Sequence, residues 1–157
     1  LGDMITVGLR SESNAVDNIK EYGEFTVNVP YQEILSKVEI AGFHSGQNKI
    51  GMADMTYDPA KYIDAPIMDE CILSLECKVE NIVEYGNYTN FIASIKRRVV
   101  CEHLLDEEGN LKYTQFNPIY FVGDDNKRVY RYFNEESKNH GENMGCSSED
   151  DYNPLCG

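Results

Sequence analysis

The chain has 157 residues, 41% of them hydrophobic and 26% charged, which suits one soluble domain with a single core. A net charge of −13 argues against a general nucleic-acid surface, and no apolar run reaches the length of a membrane span. Any anionic ligand would need a local positive pocket that works against this field, while five cysteines without a Cys-x-x-Cys pair predict reduced thiols and a cytoplasmic setting.

Leu1 stands where a Met would open a chain, and Met4 already lies in a strand-like run, so the N-terminus is expected to be incomplete. Met4, Ile5, Val7 and Leu9 supply the apolar content of a first strand. A polar turn, Arg10-Ser11-Glu12-Ser13-Asn14, leads into a helix predicted over Ala15 to Tyr22 and stopped by Gly23. Phe25 to Val29 then alternates as a second strand. One arginine, two serines and an asparagine that open onto a helix N-terminus make an anion site, because the first-turn N–H groups are free and the dipole is positive there. Blander roles stand beside this one: Arg10 can pair with Glu12 or solvent, and Ser13 and Asn14 can simply cap the helix.

Further along, Tyr31 to Ile40 has helical spacing at Ile34, Leu35 and Val38, with Gly42 placed to end it. Phe43 to Lys49 reads as a polar loop, 51–63 as irregular, and Ala65-Pro66-Ile67 as an extended connector. The two longest strand signals, 72–84 and 88–101, flank the turn Tyr85-Gly86-Asn87 and predict a long hairpin. Leu73, Leu75, Cys77 and Val79 share one face of it, as do Phe91, Ala93 and Ile95. An acidic turn around Gly109 and short strands at 117–122 and 129–133 follow, and 134–157 is a polar, predicted flexible tail. Several strands with two short helices near the start, and no regular βα alternation, predict a mainly β fold. It is an antiparallel barrel with inserted helices over 1–133.

No Ser/His/Asp triad or metal-ligand cluster is apparent, so no catalytic residue and no metal is assigned. Cys71 and Cys77 read as packing residues, and Cys146 with Cys156 as a pair only under oxidising conditions. His44 is the one histidine near a candidate loop, with His103 and His140 read as solvated.

Taken in order, LR-SES, IKEYGEFTVNVP, the Ser45-Gly46 loop, API followed by EC and LECKV, LLDEEGNL and NPI carry a resemblance. Over Gly2 to Phe133 the chain resembles the flavin reductase-like, FMN-binding split-barrel family, on its flavoredoxin side. The resemblance implies a Greek-key antiparallel split barrel and a homodimer. FMN would lie in a cleft near the dimer interface, with NADH or NADPH as the hydride donor. It implies that Arg10, Ser11, Ser13 and Asn14 hold the flavin nucleotide's phosphate, and that Ser45, Gly46 and Lys49 lie by the ring. It also implies strands ahead of Gly2 that complete the barrel. Ala15 departs from the family's usual threonine, and Asn48 from its acidic residue. The expected function is an FMN-binding oxidoreductase passing a hydride or electrons from NAD(P)H through flavin to an acceptor, with no nucleic-acid or membrane partner. The alternatives are a non-enzymatic FMN-binding electron carrier and a flavin-free split barrel serving as an interaction domain.

Overall fold

The computed structural model describes residues 2–43, 49–123 and 128–133. Four strands form its main sheet: β1 (Met4–Arg10), β2 (Glu24–Val29), β5 (Leu73–Tyr85) and β6 (Tyr88–Val100), in the order β1-β6-β5-β2 and antiparallel throughout. Between them in sequence come β3 (Tyr57–Pro59) and β4 (Pro66–Met68), which pair only with each other. β7 (Tyr120–Gly123) and β8 (Arg128–Arg131) make a separate terminal ribbon. The fold is thus mainly β, a curled antiparallel half-barrel with few helices, as the strand pattern implied.

The predicted alternation along the hairpin is borne out. Residues opposite one another in register face the same side, and the pairs Val7–Phe91, Ile5–Ala93, Phe25–Cys77, Val27–Leu75 and Val79–Ala93 place one apolar face along all four strands. Helix α1 (Asn14–Tyr22) connects the two edge strands and lays Val16 and Ile19 on that face, against Phe25, Cys77, Phe91 and Ala93. Gly23 stops α1 as predicted: it sits at φ +68°, where a side chain would be strained, and its N–H bonds the Ile19 carbonyl. Irregularities in the β5–β6 register, between Glu76 and Cys77 and between Val79 and Asn81, add local twist.

Three local expectations are corrected. The helix predicted to stop before Gly42 is a 3-10 turn, Gln32–Ile34, followed by α2 (Leu35–Phe43), which runs through the glycine. Gly42 has open space around it and no left-handed φ, so nothing in its surroundings ends the helix. A single helical turn, α3 (Lys49–Met52), runs from the end of the predicted polar loop into the stretch 51–63 read as irregular, which also holds β3. The supposed connector is β4. Three-residue strands are too short to show a period; β4 is fixed by side chains from the main sheet and β3 by pairing with β4.

That fixing occurs on the opposite face of the sheet, where Glu24, Thr26 and Asn28 alternate outward along β2. The Glu24 carboxylate accepts the Asp64 N–H at 2.9 Å, the Thr26 hydroxyl donates to the Pro66 carbonyl at 2.7 Å, and Asn28 Oδ1 accepts the Met68 N–H at 3.1 Å. Beside them on β5, Ser74 donates to Asn28 Oδ1 at 2.8 Å. The fully buried Glu76 accepts the Lys61 and Tyr62 N–H groups at 3.2 and 2.8 Å and Arg97 Nη1 at 3.1 Å. Segment 57–70 is therefore a strap laid over a polar sheet face, its course set by side chains two residues apart.

Candidate functional site

Strand β1 ends at Arg10, opposite Tyr88 on β6. The chain then turns tightly, with the Ser13 N–H donating to the Arg10 carbonyl at 3.0 Å and the Val16 N–H to the Ser13 carbonyl at 2.9 Å. Two bonds tie this turn to the returning arm of the long hairpin. The Ser11 N–H donates to the Asn87 carbonyl at 2.9 Å, and the Ser11 hydroxyl lies 2.9 Å from that of Thr89, which is fully buried. The fully buried Val16 pins the first turn of α1 in the core, so the helix N-terminus has a fixed position over the end of β1.

Ser13 occupies the N-cap with the extended backbone that position requires, φ −83° and ψ 140°, yet its hydroxyl makes no capping bond. Its Oγ is buried and has no hydrogen-bond partner, the one such side-chain atom among the described residues. The Asn14 and Ala15 amides receive no partner among the described residues either, as expected for the first turn of a helix. Arg10 is exposed and enters no ion pair with a described residue; the pairing with Glu12 that sequence alone left open is not formed. Three unbonded donors, the Ser13 hydroxyl and the Asn14 and Ala15 amides, thus lie at the positive end of a nine-residue helix, within five positions of Arg10 along the chain.

A cavity of about 600 Å³ adjoins it, between the two edge strands and along α1. Val7, Leu9, Ile19 and Val27 give it apolar walls, Pro66 of the strap forms one side, and Ala15 belongs both to this lining and to the helix N-terminus. The arrangement can take a molecule with an anionic end and a flat apolar body. A buried, unpartnered hydroxyl is rare in a folded protein, which sets Ser13 apart from an ordinary helix cap.

Of the residues singled out from sequence, Arg10, Ser11, Ser13 and Asn14 lie along the turn from β1 into α1, and none of the four lines the cavity. Lys49 opens α3; no hydrogen bond or ion pair among the described residues links it to the 10–15 segment, and it does not line the cavity. Ser45, Gly46 and His44 lie outside the described residues, as do His140, Cys146 and Cys156. His103 is exposed. Burial pushes the Cys71 and Cys77 thiols up to about 11, which suits packing residues better than reactive ones. Among the described residues no group of three or more His, Cys, Asp or Glu side chains could hold a metal ion, and no helix is long and apolar enough to cross a membrane. Sequence reading missed Thr89. Its signal was its parity: position 89 falls in step with Phe91, Ala93 and Ile95, so a hydroxyl there must point into the core face and find a partner.

The model of the flavin reductase-like domain matches residues 3–131. An uncharacterized protein of Pyrococcus abyssi is 30% identical over 119 residues, 76% of this chain and 68% of its own length. Among solved structures, the flavoredoxin of Desulfovibrio vulgaris (Miyazaki F) superposes with a TM-score of 0.78 at 28% identity, over 87% of this chain and 73% of that one. A flavoredoxin from Methanosarcina acetivorans gives the same TM-score at 23% identity, over 90% and 76% of the two chains.

Proposed function

The chain belongs to the flavin reductase-like domain family, and on that premise we propose that it is an FMN-binding oxidoreductase that passes a hydride or electrons from NAD(P)H through flavin to an acceptor. The observation that carries this reading is the orphaned, buried Ser13 hydroxyl at the mouth of α1, three residues after an arginine that has no ion pair among the described residues. A phosphate monoester fits that chemistry. The planar Arg10 fork can donate two parallel hydrogen bonds to it, the Ser11 and Ser13 hydroxyls and the Asn14 and Ala15 amides one each, and the helix dipole favours its charge. The adjoining apolar cavity has the volume for a ring system, and its walls would keep water from the face they cover.

Flavin, when bound, supplies the hydride acceptor, so the protein needs no nucleophile–base pair of its own. The chain's part is to hold the phosphate, orient the ring and neutralise charge. On this reading Ser45, Gly46 and Lys49 serve the ring end, two copies of the chain associate, and the setting is cytoplasmic. A second reading, a non-enzymatic electron carrier, is favoured by the likeness to two flavoredoxins.

One experiment tests both. The chain is titrated with FMN and followed by flavin fluorescence, and the complex is then given NADH or NADPH while nicotinamide absorbance is recorded. FMN binding with nicotinamide oxidation supports the oxidoreductase. Binding without oxidation, but with reversible reduction by dithionite, supports the carrier. Unchanged flavin fluorescence overturns both.

A further inference from the structure

We propose that Thr89 is a positioning residue for the anion turn, one that sets the direction in which the Ser11 hydroxyl donates. The inference rests on the reading of that turn as a phosphate site and goes beyond it by naming a buried group that never touches the ligand.

Thr89 is fully buried, and among the described residues its hydroxyl has one partner, Ser11 Oγ at 2.9 Å. Each of the two hydroxyls has a single proton to give. If Ser11 donated to Thr89, the Thr89 proton would be left in the core without an acceptor, which is costly. If Thr89 donates to Ser11, the buried Thr89 proton is used and the Ser11 proton is released for an acceptor outside. The Ser11 N–H is already committed to the Asn87 carbonyl, so the hydroxyl is the only donor Ser11 has left. A phosphate oxygen accepts and does not donate, so it needs this second arrangement. The strand that carries Thr89 also carries Tyr88, the register partner of Arg10, so one stretch of β6 sets the position of both donors.

The pair is therefore a two-step relay, Thr89 O–H to Ser11 Oγ and Ser11 O–H to the anion. Without Thr89 the Ser11 hydroxyl is free to rotate and must be ordered by the ligand itself.

The test compares FMN with riboflavin, which has the same ring and no phosphate, on the wild-type chain and on Thr89→Val, Thr89→Ser and Ser11→Ala. Thr89→Val is expected to weaken FMN roughly 3- to 10-fold, the scale of one neutral hydrogen bond, and to leave riboflavin unchanged. Thr89→Ser should keep the wild-type preference, and Thr89→Val added to Ser11→Ala should cost nothing further, since the two act as a unit. Should Thr89→Val fold poorly by thermal melt, Thr89→Ala removes the same hydroxyl with less crowding, and the same comparison applies. Equal losses for FMN and riboflavin, or a loss in Thr89→Ser as large as in Thr89→Val, would assign Thr89 a structural role and overturn the proposal. Unchanged FMN affinity in Thr89→Val while Ser11→Ala weakens it would overturn the relay and leave the phosphate site standing. Equal binding of FMN and riboflavin by the wild-type chain would remove the phosphate site, and the relay with it.

Discussion

Two polar clusters sit on the same sheet and are built on opposite rules. Under the strap, Glu76, Asn28 and Ser74 are buried or half-buried and all three are hydrogen-bonded: Glu76 to two amides and a guanidinium, Asn28 to an amide and a hydroxyl, Ser74 to Asn28. At the mouth of α1, Ser13 is unpartnered, two amides have no partner among the described residues, and Arg10 is unpaired there. A satisfied buried network fixes a fold, whereas an unsatisfied one leaves bonding capacity unused. The proposed site is distinguished by that unused capacity, not by polarity alone.

The sharpest way to break this contrast is Glu76→Ala. It would leave the Lys61 and Tyr62 amides and the half-buried Arg97 without their shared acceptor, so unfolding free energy should fall by about 3 kcal/mol in urea melts. A loss below about 1 kcal/mol would show that the strap hardly depends on the clasp. The same carboxylate makes stability pH-dependent. Burial raises the Glu76 carboxyl, but the Tyr62 and Lys61 amides and Arg97 outweigh that and hold it below the usual carboxylate range. A carboxyl depressed in the folded state stabilises the protein above the unfolded value, about 4.3, and loses that contribution as pH falls through the folded one. The stability gap between wild type and Glu76→Gln should thus be constant from neutral pH down to about 4.5 and shrink below it.

On the other side of the comparison, Arg10→Ala should weaken FMN by roughly 1.5–3 kcal/mol, the worth of a charged hydrogen bond, with little change in the unfolding midpoint. Unaltered binding would take Arg10 out of the site. The smallest expected effect discriminates best. Replacing a serine N-cap by alanine ordinarily costs about 1 kcal/mol of stability. Ser13 makes no capping bond to lose, so Ser13→Ala should change stability by less than about 0.5 kcal/mol in the absence of ligand, yet still weaken FMN. A full capping loss in the melt would mean that the hydroxyl serves the helix after all.

The core was legible because it repeats: period 2 along β1, β5 and β6 and a helix stopped by a left-handed glycine are local signals that tertiary packing merely confirms. The turn proposed as an anion site was legible because its donors are adjacent along the chain. The strap was not. Glu24, Thr26 and Asn28 meet 64, 66 and 68 from forty residues away, and no window along the chain contains both sides of that contact. Thr89 was missed for the same reason, since its partner Ser11 is 78 positions distant. Gly42 misled because a helix-stopping residue acts only where its surroundings demand an unusual φ.

The central claim is that the mouth of α1 binds a phosphoryl group, and calorimetric titration of one protein preparation with FMN and then with riboflavin tests it most directly. The account predicts FMN binding on the order of tenfold tighter or more, from hydrogen bonds that only the phosphate can accept. Equal affinities, or heat from neither ligand, would contradict it.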